Sequence, residues 1–290
     1  MRTTLPLRSA RICRHPHRNM NEEREYVLGT HDQELQRLGL QHRVWRSKML
    51  EAWADAGITE GSRVADFGSG PGYASFDLSE IVGESGEVLG IEQSARFVAF
   101  AKTEAQRRGI TNIRFLEADL NEGIPWNHNI DIVWCRWVAS FVRDLSTLVE
   151  HVSAALRPGG RAIFHEYVDY STWRTSPPSP SVETFVAKVM DSWRASGGEP
   201  DVALTLRPTL LMAGFEVLDT TPIVFAVGPA DFIWRWPSAF LKAYSRRLAE
   251  NGEVTESWAT QLSQDFAAIE RSSNSLMITP LLLQIVARKP

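Results

Sequence analysis

Cysteine is nearly missing from this 290-residue chain: Cys13 and Cys135 are the two present. Two cannot make a disulfide framework or a zinc site, so a reducing cytoplasm is the expected compartment. No apolar run approaches the ~18 residues that a membrane-spanning helix needs, so no span is expected. A surplus of positive charge is missing too. The formal net charge is −4, which argues against a large basic nucleic-acid footprint. The first 19 residues, MRTTLPLRSARICRHPHRN, lack acid altogether and carry five arginines. An Arg-rich, acid-free leader can be an organelle presequence. The plainer reading, preferred here, is a disordered tail or an upstream start ahead of Met20, so residues 1–19 are expected to be dispensable. Without those five arginines the charge moves from −4 to −9, and the folded body is acidic.

What is present is ordinary for a globular protein, at 43% hydrophobic and 23% charged residues. The length allows one elaborated domain or one domain with a small cap. A capping box, Thr30 and Gln33, opens a helix on which Leu35, Leu38, His42, Trp45, Met49 and Trp53 recur at helical spacing, and Gly57 stops it. From residue 63, short β-rich runs alternate with amphipathic stretches. RVADF, EVLGIE, IRFLEAD, IDIVWCRW and RAIFHEY read as strands, with helices at YASFDLSEIV, SARFVAFAKTEAQRRG and near 144–156. Such alternation predicts an α/β fold, a doubly wound, mostly parallel sheet with helices on both faces. After residue 170 the rhythm breaks into a Pro/Ser loop, helices near 181–195 and 202–213, a strand FEVLDTTPIVFAV, two more helices and a last strand LLLQIVARK. The expected organisation is a tail (1–19), an N-terminal helical cap (20–57), a cofactor-binding core (58–170), and substrate-cap helices with the last two core strands (171–290).

The stretch VADFGSGPGY joins the first strand to its helix through Gly68, Gly70 and Gly72. Bare backbone there can turn tightly and touch a ligand. A dinucleotide fingerprint needs a third glycine three residues after Gly70, where Tyr73 stands, which disfavours a nicotinamide oxidoreductase. Asp66, at the end of the first strand, would repel a pyrophosphate but suits a ligand with an ammonium group. Glu92, at the end of the second, can accept hydrogen bonds from both hydroxyls of a ribose. The loop therefore asks for a nucleoside without phosphate and with a cationic group, which S-adenosylmethionine satisfies.

With VADFGSGPG (64–72), VLGIEQS (88–94), FLEADL (115–120), IDIVWCRWV (130–138) and LRPGGRAIF (156–164), the chain resembles the class I S-adenosylmethionine-dependent methyltransferases of small-molecule type. The resemblance covers about 45–170 well and the end strands loosely. It implies a seven-stranded Rossmann-like methyltransferase fold with helical cap insertions and an antiparallel edge strand, and S-adenosyl-L-methionine as cofactor. By the same resemblance Asp66, Gly68, Gly70 and Gly72 hold the methionine end and Glu92 the ribose, with Gln93 a further cofactor contact. Asp119 and Leu120 meet the adenine, and Tyr26 and Cys135 approach the cofactor.

Methyl transfer from a sulfonium is an in-line displacement, so alignment and exclusion of water matter most. A base is needed where the nucleophile must lose a proton. FHEYVDYSTWR crowds the carboxyl end of the fifth strand, where open α/β sheets bind ligands. His165 is the expected base or substrate contact, with Glu166 second; a buried, hydrogen-bonded histidine is the equal alternative. Glu166, Asp169 and His165 have suitable ligand types for a metal, but their separation along one strand and turn makes joint coordination doubtful, and none is expected. Arg136, Trp137, Tyr167, Tyr170 and Trp173 are the expected substrate contacts. Trp134, Trp193, Trp234 and Trp236 either join them in an enclosed aromatic pocket or fill the core. Arg174 and Arg207 could anchor an anion. The absence of a [DN]PP[YFW] tetrad, with WCRW in its place, disfavours nucleic-acid bases as acceptors. The expected partner is a small molecule, with no nucleic acid; a homodimer stays open, as does a non-catalytic protein on the same fold.

Overall fold

The structure is a computed structural model that describes residues 32–122 and 129–290. The N-terminal tail, Cys13, Tyr26 and the Thr30 cap lie outside the described residues. Helix α1 (Asp32–Asp55) leads into β1 (Arg63–Phe67), α2 (Tyr73–Val82), β2 (Glu87–Glu92), α3 (Ala95–Arg108), β3 (Ile113–Glu117), β4 (Ile130–Arg136), α4 (Leu145–Ala155) and β5 (Leu156–Asp169). Then come β6 (Arg174–Ser176), α5 (Pro180–Ala195), α6 (Ala203–Met212), β7 (Glu216–Ile223), β8 (Ala226–Val227), α7 (Arg235–Glu250), α8 (Glu256–Arg271), β9 (Leu276–Ile278) and β10 (Leu281–Arg288).

Seven strands form one sheet in the order β3-β2-β1-β4-β5-β10-β7. The chain order reverses between β1 and β4, and a ligand crevice opens at such a switch point. The antiparallel strand comes at the β7 edge, where β10 pairs antiparallel with both β5 and β7. Local chemistry explains the helix ends. Ser94 accepts from the Phe97 amide at the start of α3, and Gly109 closes it in the left-handed conformation. Asp144 caps α4 through the Ser146 and Thr147 amides.

Both faces of the sheet are covered, as the unbroken apolar strands demand. One face packs Val149, Val152, Leu206 and Leu210 of α4 and α6; the other packs Met49, Trp53, Leu78 and Val98 of α1, α2 and α3. The helical period of α1 is used twice, because Trp45 enters a third, aromatic cluster while Met49 and Trp53 enter the sheet. That third cluster gathers Trp137, Tyr167, Trp173, Trp193, Trp236 and Phe240 beneath α5, α7 and α8.

Two details differ from the sequence pattern. RPGG, between the expected helix near 144–156 and the expected strand RAIFHEY, lies inside β5 and makes an irregularity where Ile130 pairs Leu156 but Ile132 pairs Arg161. FEVLDTTPIVFAV is divided into β7 and β8, and β8 joins β9 and β6 in a separate antiparallel sheet of three short strands. Such short strands carry too few residues to show a period. No described helix is long and apolar enough to cross a membrane.

Candidate active site

The cleft lies over the carboxyl ends of β1, β2 and β4, with about 1030 Å³ of atom-free space, its open mouth included. Asp66, Gly68, Gly70, Glu92, Gln93, Asp119, Leu120, Arg136 and Trp137 all line it. The loop after β1 has little freedom. Gly68 has φ +67, and a Cβ there would sit 2.2 Å from Val138 Cγ2. Gly70, at φ +53, has nothing within 4 Å on that side, so its backbone faces open space. Gly72 lines no part of the cleft and instead brings the start of α2 against Phe115 and Ala101.

Glu92 organises the loop. One carboxylate oxygen accepts from the Gly70 amide at 2.9 Å and the other from the Ser94 amide at 2.8 Å. The Gln93 amide also acts on this carboxylate, and of its roughly four acceptor sites at least one stays open to a ligand. Burial raises the Glu92 pKa against the pull of those amides. Asp66 is buried more deeply. Desolvation lifts it to about 7, opposed by the Ser75 hydroxyl, which donates at 2.5 Å, and by the charge of Arg136. Asp119 accepts from the Asn121 amide and side chain at 2.9 and 2.7 Å, which fixes the turn after β3.

Two expected cofactor contacts are elsewhere or undescribed. Cys135 is fully buried in the sheet core, because period-two alternation turns it away from the Trp134 and Arg136 face. Tyr26 is outside the described residues. The sequence pattern also missed contributors: Ser69, Tyr73, Trp134 and, from α1, Leu38 and Gln41 line the cleft. Tyr73 donates its hydroxyl to the Leu35 carbonyl at 3.1 Å, tying α1 to the loop. Ser69 Oγ is buried without a hydrogen-bond partner. Leu38 and Gln41 are three apart on α1, yet helical spacing alone gives no sign that this face meets a ligand.

Neither of the two expected catalytic residues lines the cleft. His165 is fully buried, edge-on to Trp134, with Nε2 at 3.0 Å from Gln284 Oε1. Burial drives its pKa down to about 3, and it lines neither cavity. Glu166 is buried on the opposite face. It accepts from the Val138 and Ala139 amides at 2.8 and 2.9 Å and from Ser140 Oγ at 3.1 Å. Trp134 and Gln284 cover the His165 face, and the turn of residues 138–140 covers the Glu166 face, so neither side chain reaches the cleft. Their shared effect is on Trp137, which has φ +54 and donates its amide to the His165 carbonyl. A tryptophan in that left-handed conformation is held by its surroundings.

Trp137 forms the wall between the cleft and a second, aromatic compartment of about 420 Å³ on the same measure. Gln41 and Phe141 line both spaces as well. Tyr167, Tyr170, Trp173, Trp193, Trp236 and Phe240 complete the compartment. Trp137 stacks between Tyr167 and Trp236, with ring centroids 5.6 and 5.7 Å away. Trp234 instead stacks on Phe266 in the core, and Arg174 and Arg207 are exposed and line neither space. Among the described residues no group of three His, Cys, Asp or Glu stands together as metal ligands.

A doubly wound α/β sheet with an acid at the end of each of its first two strands, and bare backbone between them, defines a nucleoside-binding protein. Residues 58–201 match the family described as a methyltransferase domain. A demethylmenaquinone methyltransferase of Lactococcus lactis is 31% identical over 124 residues, 42% of this chain and 48% of that protein. The chain spans about half the length of the curated relatives it matches. Among solved structures, a geranyl diphosphate C-methyltransferase from Streptomyces coelicolor has a TM-score of 0.55 at 16% identity, covering 84% of this chain and 76% of that one. A [4+2]-cyclase shares the fold with a TM-score of 0.52 at 18% identity, covering 84% and 81%. Residues 58–201 therefore carry a methyltransferase domain of the class I S-adenosylmethionine-dependent type.

Proposed function

We propose that this chain transfers a methyl group from S-adenosylmethionine to a small, planar, electron-rich ring held in the aromatic compartment. One observation carries the reading. Asp66, Gly70, Glu92 and Asp119 converge on a single cleft, and that cleft meets an aromatic compartment across Trp137. The residues fit the cofactor: Glu92 has acceptor capacity open to a ribose hydroxyl, Asp66 is a buried carboxyl with a single hydroxyl partner, and Ser69 Oγ is orphaned. Asp119 and Leu120 would meet the adenine amino group and ring.

When bound, the cofactor supplies a methyl group already activated on a sulfonium. The chain's own part is alignment and dryness. Trp137, Tyr167 and Trp236 line the compartment with aromatic surface against which a planar acceptor packs, and Phe141 and Trp193 keep water out. No imidazole lines either space among the described residues, so the reading uses no histidine base. A phenolic ring, with a hydroxyl pKa of about 10, is acidic enough to ionise with modest help from its surroundings.

The relatives' names point to two acceptor types, a demethylated quinone and an isoprenoid diphosphate. The compartment favours the ring. A diphosphate calls for several cations, whereas Arg37 is the one charged residue lining the compartment among those described, and Glu34 already holds it at 2.6 and 2.7 Å.

Thermal-shift titration with S-adenosylmethionine, S-adenosylhomocysteine and NAD, followed by labelled-donor assays on hydroquinones, phenols, acids and amines, tests this. The two sulfur nucleosides should stabilise the fold by about 2.7 kcal/mol at a hundred times their Kd, and NAD should not. Label should appear in ring acceptors. No shift with either nucleoside overturns the reading; binding without transfer to any acceptor assigns the chain another reaction, as the cyclase's name does for its own fold.

A further inference from the structure

Among the described residues, Gln41, Trp137 and Phe141 line both the cofactor cleft and the aromatic compartment. Phenylalanine has no polar atom to offer. The Trp137 indole nitrogen is enclosed, without a hydrogen-bond partner. Gln41, reaching in from α1, is therefore the polar group that an acceptor meets where the two spaces join.

Two neighbours fix which way its amide faces. Trp236 Nε1 donates to Gln41 Oε1 at 3.1 Å, and Arg37 Nη1 donates to the same oxygen at 2.9 Å. An indole and a guanidinium can only donate, so the amide oxygen, and not the nitrogen, must face them. Arg37 is held in turn by both carboxylate oxygens of Glu34, at 2.6 and 2.7 Å, and both residues are buried. Such a chain polarises the amide and makes its N–H groups stronger donors. The amide nitrogen carries two of them, bonds to no described residue and is not enclosed. Deeper in the compartment, Trp173 has already given its indole N–H to the Met277 sulfur at 3.1 Å, and Tyr167 and Tyr170 do not line the cleft.

We propose that Gln41 selects the acceptor: its amide N–H donates to an oxygen on the acceptor ring, a carbonyl or a phenol oxygen, and sets that oxygen at the junction with the cofactor cleft. This rests on the proposed methyl transfer to a ring in the aromatic compartment, and it narrows the ring to an oxygenated one. A phenol oxygen accepts such a bond, and a phenolate accepts it more strongly. The bond therefore favours the ionised form and helps a phenol lose its proton where no imidazole lines the site. An arylamine is a poor match, because its N–H groups meet those of Gln41. A hydrocarbon ring leaves the amide unpaired, which costs binding.

Calorimetric titration of the S-adenosylhomocysteine-bound protein with three two-ring compounds tests this without turnover. Chromone offers a carbonyl that can only accept, 1-naphthylamine offers N–H donors, and 1-methylnaphthalene offers neither. Q41L should weaken chromone about tenfold and leave the other two within about threefold. Q41E keeps an acceptor for Arg37 and Trp236 but puts an oxygen where the N–H groups stood. Its melting temperature should stay close to wild type, while chromone weakens at least as much as in Q41L and 1-naphthylamine binds more tightly. Unchanged chromone affinity in Q41L overturns the assignment, as does a Q41E that does not trade chromone for the amine. An equal loss of all three ligands also overturns it, because that marks a damaged compartment and not a lost donor. If the wild type takes up none of the three, the acceptor compartment itself has failed, and the role of Gln41 with it.

Discussion

At the scale of single residues, the acid at the end of β1 has the sharpest consequences. Burial holds the Asp66 carboxyl at about 7 in the free protein, so it is largely protonated at pH 6. An α-ammonium binds the ionised form. Affinity for S-adenosylhomocysteine should therefore rise as pH increases, by up to about tenfold per unit below 7, and level off above it. Asp66→Asn should remove that slope and bind weakly throughout. Titrations from pH 5.5 to 8.5 check this; equal slopes in both proteins would rule out Asp66 as the ammonium partner. The strand-end acids were legible because position in a βα unit dictates where they point. His165 and Glu166 were not, since alternation assigns opposite faces but says nothing of what covers each one.

At the scale of an element, the turn after β4 links the sheet to the acceptor side. Trp137 stands in a left-handed conformation, and Glu166 closes the next turn through two backbone amides. Glu166→Ala leaves both amides buried without an acceptor, which should cost at least about 2 kcal/mol of stability. It should also raise acceptor KM by letting Trp137 and Phe141 drift. Glu166→Gln keeps an acceptor oxygen and should behave close to wild type. Denaturant unfolding and KM for the acceptor, measured on both variants, check the pair; a Gln variant as impaired as Ala would mean that the carboxyl's proton, not its shape, is what matters. This turn could not be foreseen from WCRW, because its geometry is fixed by contacts from β5.

At the scale of the whole molecule, three buried groups give stability a defined pH dependence. Asp66 and Glu166 are both raised to about 7, so from roughly pH 4.5 to 7 the folded chain holds two protons that the unfolded chain has lost. His165, lowered to about 3, works the other way, because below about 6.5 the unfolded chain gains a proton there. Together the folded state binds one more proton than the unfolded between about pH 4.5 and 6.5. Their combined contribution thus falls as pH rises, by ~1.4 kcal/mol per unit, and faster still from 6.5 to 7, where His165 no longer offsets the acids. Urea unfolding of the wild type and Asp66→Asn across pH 4.5–8 isolates one of these protons. The variant's advantage should widen with rising pH up to about 7, and parallel curves would exclude a raised Asp66.

The amino-acid order by itself determined the doubly wound sheet, the glycine-bearing loop and the three strand-end acids, because those depend on local period and on where a βα unit must turn. Tertiary structure alone decided that Cys135, His165 and Glu166 are interior, that α1 lends Leu38 and Gln41 to the cleft, and that scattered tryptophans from the turns after β4 and β5 and from α5 and α7 gather into one compartment. Burial and charge coupling arise between segments distant in the chain, and no local pattern encodes which segments will meet.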